Sequence, residues 1–164
     1  MNRGRKRSVF LLIAGALVGI LVASSVTLVR DPLSAYQWLY EKTDGRFTWL
    51  GGLPVLLLRT TGRKTGHERT AALVYLKDGD NYVVVASRGG SDKPPRWLLN
   101  LQDHPEVAVQ IGRQRSRMRA RVADSQERAR LWPLVNQNNS NRYDAYQAKT
   151  KREIPLVILS PLSQ

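Results

Sequence analysis

The sequence predicts a mainly β fold of the α+β class: a small barrel with helices on its outside, preceded by a transmembrane helix. Three observations lead to this prediction. An uncharged apolar stretch runs from Val9 to Val29, and short runs rich in branched and aromatic residues are separated by glycine and aspartate turns. These elements follow in the order βββ-α-ββ-αα-β. Closure into a barrel removes the exposed edges that so many short strands would otherwise have.

The first segment, residues 1–30, is interpreted as a basic N-terminus followed by a membrane anchor. A helix needs about 20 apolar residues to span a bilayer, and the uncharged stretch is long enough. A secretory signal is the alternative, because Ala23 and Ser25 offer a small-residue cleavage pattern. The apolar cores of secretory signals are shorter, about 7 to 15 residues, so we favour an uncleaved single-pass anchor. Cations lie on both sides of the stretch, and their distribution leaves its orientation open.

The second segment, residues 31–49, is predicted to be an amphipathic connector. Asp31 and Pro32 form a helix-start signal, and apolar and aromatic residues cluster on the short helix that follows. These residues are Leu33, Tyr36, Trp38, Leu39 and Tyr40. The connector either packs on the folded domain or forms an aromatic belt at a membrane interface.

The third segment, residues 50–164, is predicted to hold the barrel. "LPVLLLRT", "ERTAALVYL" and "NYVVVASR" are predicted strands, and turn residues separate them at 62–66 and 78–80. "PPRWLLNLQDH" predicts a helix, and "EVAVQIG" with "RQRSRMRARVAD" predicts a second hairpin. A helix capped by Asp124 or Ser125 is expected to run to Val135. "YDAYQAKTKR" is expected to continue as helix before the final strand "IPLVILSP".

Composition narrows the possible functions. Twenty-six Lys and Arg residues against 13 Asp and Glu give a formal charge of +13, which favours anionic partners. The chain has no cysteine, and His67 and His104 are its only histidines, so we predict no metal site. Nucleic acid is not expected as a partner, because the most basic strand has no aromatic residues between its cations.

One basic stretch contains two glycines: "TTGRKTGHERT", residues 60–70. Its glycines lack the spacing of a nucleotide-binding P-loop. A turn carrying Arg63, Lys64 and Thr65, with Arg69 just beyond, nevertheless offers backbone N–H groups and cations to a phosphate or carboxylate. A solvated hairpin tip is the alternative.

A second loop has similar chemistry. "ASRGG" follows a predicted strand and leads towards a helix through Ser87, Arg88, Gly89 and Gly90, a place where free N–H groups collect an anion. Two such loops at the ends of neighbouring strands can form one groove for a polyanion.

Together these stretches resemble the deazaflavin-dependent nitroreductase family, which includes the F420H2-dependent quinone reductases. These are the coenzyme F420 enzymes of actinobacteria, and their fold is a split β-barrel related to FMN-binding barrels. The resemblance runs from about Leu50 to Pro161. It is carried by "GGLPVLLLRTTGRKTGHERTAALVYL", "DGDNYVVVASRGGSDKPPRWLLNLQDHPEVAVQIG" and "YQAKTKREIPLVILSP" in that order.

The resemblance implies cofactor-binding roles. Contact with the phosphate and polyglutamate tail of F420 is implied for Arg63, Lys64, Thr65 and Arg69. Lining of the cofactor is implied for Ser87, Arg88, Gly89 and Gly90. Trp97 and Asn100 match the family's W-x-x-N-L segment, which shapes the cofactor site. The residues alone also allow plain core packing for Trp97 and a helix-terminus hydrogen bond for Asn100.

Some positions depart from the family pattern and put the acceptor in question. Arg88 stands where lysine is frequent, and His67 replaces a common lysine. Leu98 occupies a position that is often tyrosine. Tyr143 and Tyr146 would share a helix face and correspond to substrate-side tyrosines, although packing of helix on barrel explains them equally well.

The predicted function is a membrane-anchored oxidoreductase that transfers a hydride from reduced F420 to a quinone-like or nitro-bearing acceptor. The anchor favours menaquinone or another lipophilic acceptor, because tethering keeps the site near the bilayer. Since F420 is expected in the cytoplasm, the domain is predicted on the cytoplasmic face. The alternatives are a non-catalytic membrane-tethered module that binds anionic lipid or cofactor, and a barrel that binds FMN or haem.

One strand carries arginine at every second position from 113 to 121, which places these side chains on one face. Neighbouring acids on a solvated barrel face are one explanation. Docking on an anionic membrane surface is the other, worth about 1 kcal/mol per residue.

Overall fold

A computed structural model describes residues 32–46, 48–50 and 52–162. Within these residues it contains seven strands, four α-helices and a short 3-10 turn, in the predicted order. The helices are α1 (Pro32–Lys42), α2 (Arg96–Asp103), α3 (Ser125–Asn138) and α4 (Arg142–Gln147), and the 3-10 turn is Arg88–Gly90. The strands are β1 (Trp49–Leu50), β2 (Leu53–Thr61), β3 (Glu68–Asp78), β4 (Asn81–Val85), β5 (Glu106–Ile111), β6 (Gln114–Val122) and β7 (Leu156–Pro161).

Six of the strands close into an antiparallel barrel, as predicted. Their order is β2, β3, β4, β7, β6, β5, and β5 pairs back onto β2 with Leu58 opposite Val109. The short β1 extends the sheet at β2. Closure gives the long strands two partners each, so their backbone N–H and C=O groups are satisfied without an exposed edge.

Alternation along the strands separates a barrel interior from an outer face. Leu56 and Leu58 of β2 point inward and join a buried cluster with Val84, Met118 and Leu159. The helix α2 adds three side chains to this same cluster: Trp97, Leu98 and Leu101. This helix therefore lies outside the strands, as predicted, and covers one end of the barrel core.

The helices α3 and α4 also lie outside the barrel. They pack on the outer faces of β4 and β7 in a second buried cluster that contains Val83, Ile158, Leu131 and Tyr143. The predicted cap is confirmed: the Asp124 carboxylate accepts the Glu127 N–H at 2.8 Å, and the Glu127 side chain accepts the Asp124 N–H. The helix α3 continues through Pro133 beyond the predicted end at Val135.

The predicted helix through residue 152 was wrong beyond Gln147. There the chain leaves the helix because side chains offer its backbone other partners. The Gln147 amide donates to the Arg152 carbonyl at 2.8 Å and accepts the Ile154 N–H at 2.9 Å. The Thr150 hydroxyl donates to Asp92 at 2.7 Å. Residues 148–155 therefore form a tied loop that leads into β7.

The connector is helical from Pro32 to Lys42, as predicted. In its second half Tyr40 is fully buried, and its hydroxyl accepts the Gly112 N–H at 2.7 Å. Trp38 is 61% exposed on the same helix. The predicted anchor in residues 1–30 lies outside the described residues. Among those described, no helix has the length and apolarity to cross a membrane.

The alternating arginines of β6 lie on its outer face, as predicted, while Met118 and Ala120 between them point into the core. Arg113 precedes the strand in a turn. The others pair with acids: Arg115 with Asp44, Arg117 and Arg119 with Glu106, and Arg121 with Glu127. Neighbouring counter-ions thus balance much of the repulsion on this face.

Candidate cofactor-binding site

The turn between β2 and β3 and the helix α2 enclose a groove of about 680 Å³. Six predicted site residues line it: Arg63, Lys64, Thr65, Arg69, Trp97 and Asn100. Residues that were not singled out from the sequence line it as well, among them Gly62, Thr70, Arg96 and Leu99. The groove therefore joins the hairpin turn to the helix that caps the barrel.

The cations of this groove lack acidic partners. In the described part of the chain, no carboxylate lies within ion-pair distance of Arg63, Lys64, Arg69 or Arg96. Elsewhere arginines are paired, as on the β6 face and at Arg130, which contacts Asp78 at 2.7 Å. Four neighbouring cations without counter-ions give this groove a positive charge that attracts anions.

The hairpin turn is held in a fixed shape. The Gly62 N–H donates to the His67 carbonyl at 2.8 Å, and the Gly66 N–H donates to the Gly62 carbonyl at 2.7 Å. Gly66 has a φ of 68°, which glycine adopts without strain. The His67 N–H donates to the Thr65 hydroxyl at 3.4 Å. Arg63 and Lys64 are thus presented from a defined turn.

Asn100 ties this turn to α2. It is 7% exposed, and its Oδ1 accepts the Arg63 N–H at 3.2 Å. Its Nδ2 donates to the Thr60 hydroxyl at 3.0 Å. Trp97 is buried among the core residues and also lines the groove, so its core packing is confirmed and its role at the cofactor stays a prediction. The Asn100 side chain contacts the hairpin, and its role in shaping the cofactor site stays a prediction.

The second predicted loop, residues 87–90, leaves the barrel at the same end but does not line this groove. Three consecutive residues have positive φ: Arg88 at 47°, Gly89 at 64° and Gly90 at 84°. Gly90 touches the backbone of α4 at Tyr146. The prediction that the two loops share one groove was therefore wrong: the first loop and α2 line this groove without residues 87–90.

The two predicted acceptor-side tyrosines lie behind this loop. Tyr143 is 6% exposed, and its burial raises the pKa of its phenol well above the ordinary value of 10.0. Its ring centroid is 6.1 Å from that of Tyr146. Tyr146 adjoins Gly90, and the Lys149 ammonium lies 5.6 Å from its ring centroid. Tyr146 is therefore the nearer of the two to the loop.

Two arginines were missed by the sequence analysis. Arg96 adds a fourth cation to the groove from the first turn of α2. Arg152 reaches the other loop: its Nε donates to the Ser91 carbonyl at 2.8 Å, and its Nη2 donates to those of Ala86 and Ser87 at 3.0 and 2.9 Å. Burial lowers the pKa of the Arg152 guanidinium. Arg152 stands in the basic run of residues 149–152, where the sequence does not distinguish one cation from the next.

Comparisons with known proteins show what this chain is similar to. A family profile described as F420H(2)-dependent quinone reductase matches residues 33–161. An F420H(2)-dependent quinone reductase of Mycobacterium tuberculosis is 42% identical over 132 residues, which are 78% of this chain and 89% of that protein.

Solved structures are similar too. An F420-H2 dependent reductase is 36% identical with a TM-score of 0.60, over 65% of this chain and 94% of that one. A chain described as a domain-swapped dimer is 31% identical with a TM-score of 0.62, over 79% of this chain and 100% of that one.

The protein is an oxidoreductase, and reduced coenzyme F420 is its hydride donor. From its matched length and its identity to these relatives, the chain belongs to the F420H(2)-dependent quinone reductase family.

Proposed function

We propose that this chain is a membrane-anchored quinone reductase that binds the anionic tail of F420 in the cationic groove and reduces a lipid-soluble quinone such as menaquinone. The observation that supports this most directly is the set of four cations without acidic partners around one groove. The proposed layout assigns residues 1–30 to the anchor, 31–49 to the connector and 50–164 to the cofactor-binding domain.

The groove fits the tail of F420 by charge. The tail carries a phosphate and glutamate carboxylates, and the groove presents guanidinium groups from Arg63 and Arg69 and an ammonium from Lys64. The Thr65 hydroxyl adds a polar contact in the same turn. Because these cations are exposed to solvent, the attraction is expected to weaken as salt is added.

The loop at residues 87–90 is proposed to hold the ring end of the cofactor. Bound F420H2 supplies the hydride, so the protein needs no nucleophile or carboxylate pair of its own. Ser87, Arg88, Gly89 and Gly90 fix the ring's orientation. Trp97 and the rest of α2 close the barrel end and keep water from entering beneath the cofactor.

The acceptor is proposed to lie on the Tyr146 side of the loop. Tyr146 contacts the acceptor or a bound water that protonates the product, and Tyr143 packs behind it. A nitro-bearing acceptor is expected to use the same place. Quinone is favoured as the physiological acceptor because an anchor would hold the site beside a bilayer where such molecules are concentrated.

The arginine face of β6 is proposed to dock on anionic lipid at the cytoplasmic face. The side chains of Arg115, Arg117 and Arg119 are 65, 74 and 64% exposed despite their ion pairs, so phosphate headgroups can reach them. Each is worth at most about 1 kcal/mol near the surface, and the neighbouring acids reduce that value.

The experiment titrates the full chain in mild detergent with F420 and, separately, with FMN, and then follows F420H2 oxidation with menaquinone or a nitroaromatic compound. A Lys64→Ala and Arg69→Ala double variant should bind F420 at least tenfold more weakly, since each charged contact is worth about 1.5 kcal/mol.

The matched control removes the same charge at the opposite end of the barrel, with Lys77→Ala and Arg113→Ala. Equal loss of affinity in both double variants would refute the assignment of the groove. Tight FMN binding with no F420 binding would refute the proposed function as a whole.

A further inference from the structure

Arg152 has an unusual set of partners for an arginine. Its guanidinium donates to the carbonyls of Ala86, Ser87 and Ser91, all in the loop that follows β4. In the described part of the chain no carboxylate forms an ion pair with it. Arg152 belongs to the tied loop before β7, and its side chain therefore holds the backbone of a second loop, the one that follows β4.

Holding these carbonyls also fixes the direction of the amides. The described chain has no cis peptide bond, and in a trans peptide the C=O and N–H groups point in opposite directions. The carbonyls of Ala86 and Ser87 point at Arg152. The N–H groups of Ser87 and Arg88, which belong to the same two peptides, must therefore point away from Arg152.

The loop conformation brings a third amide to that side. Ser87 is in the right-handed helical region, at φ −75° and ψ −41°, and Arg88 follows with a positive φ of 47°. A right-handed residue followed by a left-handed one makes successive N–H groups converge into a concavity for an oxygen atom. In the described structure, the amides of Ser87, Arg88 and Gly89 donate to no protein acceptor.

We infer that Arg152 is a positioning residue that aims the amides of Ser87, Arg88 and Gly89 at a carbonyl or anionic oxygen on the ring end of the cofactor. The inference rests on the proposed function, which puts that end of F420 against this loop. Arg152 lies behind the loop backbone, and it acts on the cofactor through the peptide groups it holds.

A purely structural role for Arg152 is the competing explanation, since it also links the tied loop to the barrel. Thr150 supplies the control. Its hydroxyl donates to Asp92 at 2.7 Å and accepts the Arg152 N–H at 3.3 Å, so it holds the same loop without contacting the three carbonyls. Thr150→Val should loosen the tied loop and leave the amides aimed by Arg152.

The test measures binding of two ligands to the full chain, Arg152→Met, Arg152→Lys and Thr150→Val by fluorescence titration. The ligands are F420 and its tail-less form, the deazaflavin with its ribityl chain but no phosphate or glutamate. Urea unfolding gives the stability of each variant. Backbone amide NMR reports the shifts of Ser87, Arg88 and Gly89 on addition of ligand.

Arg152→Met should weaken both ligands by about tenfold and abolish the ligand-induced amide shifts, because the amides are no longer aimed. Arg152→Lys should recover part of the affinity, since an ammonium can donate to some of the carbonyls. Thr150→Val should change the affinity for both ligands less than twofold, although it loses about as much stability as Arg152→Met.

Wild-type affinity and amide shifts in Arg152→Met would overturn the inference and leave the proposed function standing. Equal losses of affinity in Arg152→Met and Thr150→Val would also overturn it. A wild-type chain that binds neither ligand overturns the proposed function and this inference with it.

Discussion

Replacing Gly90 with alanine tests whether the loop at residues 87–90 must lie directly on α4. A Cβ at this position would stand 2.5 Å from the Tyr146 carbonyl oxygen, 3.0 Å from the Lys149 Cβ and 3.1 Å from the Tyr146 Cα. Two of these atoms belong to the backbone, so no change of side-chain rotamer relieves the clash. The loop or the helix has to move.

The magnitude has two parts. A φ of 84° costs a residue with a Cβ about 1 kcal/mol, as for left-handed conformations in general. Overpacking against backbone adds about 1 to 3 kcal/mol. Gly89 separates these parts, because its φ is 64° and a Cβ there would meet nothing within 4 Å. Gly90→Ala should therefore lose about 2 to 4 kcal/mol of unfolding free energy, and Gly89→Ala about 1 kcal/mol.

Urea unfolding measures the stability of both variants. At a constant m-value, the shift of the unfolding midpoint gives the difference in the free energy of unfolding from wild type. F420 titration adds a second measurement. Gly90→Ala should weaken F420 binding beyond the effect of Gly89→Ala, because it separates the loop from Tyr146. Equal stability losses in the two variants would refute the reasoning, since the contact with α4 would then cost nothing to disturb.

Three further predictions follow from the contacts. Asn100→Leu leaves the Arg63 N–H and the Thr60 hydroxyl without their partner, so this variant should be about 2 kcal/mol less stable than wild type and bind F420 more weakly. Urea unfolding measures the stability, and an unchanged F420 affinity would contradict the prediction. The Glu127 carboxyl has its pKa lowered to about 2 by the Arg121 guanidinium and then by the Asp124 N–H, so its stabilisation is complete above about pH 4.5 and is lost as the pH falls towards 2. Solvent screening limits that stabilisation to about 1 kcal/mol. The free energy of unfolding of Glu127→Gln should therefore be lower than that of wild type by this amount at pH 7 and equal to it near pH 2. Thermal unfolding at a series of pH values checks this. Tyr146→Phe should lower the rate of quinone reduction several-fold while Tyr143→Phe changes it less than twofold, as F420H2 oxidation can measure; the reverse order would contradict the assignment of Tyr146 as the nearer residue.

Much of the barrel could be predicted from the sequence because its signals are local. Turn residues such as Gly79 sit between runs of β-forming residues, and the capping box at Asp124 marks the start of α3. The cations of the hairpin turn could be identified in the same way. Their chemistry and their spacing along the chain suffice to place Arg63 and Lys64 on one turn.

The rest depends on contacts between residues far apart in the sequence. Nothing local distinguishes Arg152 from Lys151, yet only closure of the barrel brings Arg152 to the carbonyls of Ala86 and Ser87. The apolar residues of α2 predict burial without saying that their side chains pack against one end of the barrel core. Residues 148–152 have a helix-forming composition but are not helical, because hydrogen bonds with the side chains of Gln147 and Asp92 hold them in a loop.

The capping helix α2 also limits how this protein can change. Trp97, Leu98 and Leu101 face the interior, and Asn100 holds the hairpin turn, so substitutions at these positions alter the fold together with the site. Arg96 and Leu99 line the groove without entering the buried core. A substitution at either position would therefore change the charge or the shape of the groove and leave the barrel core as it is.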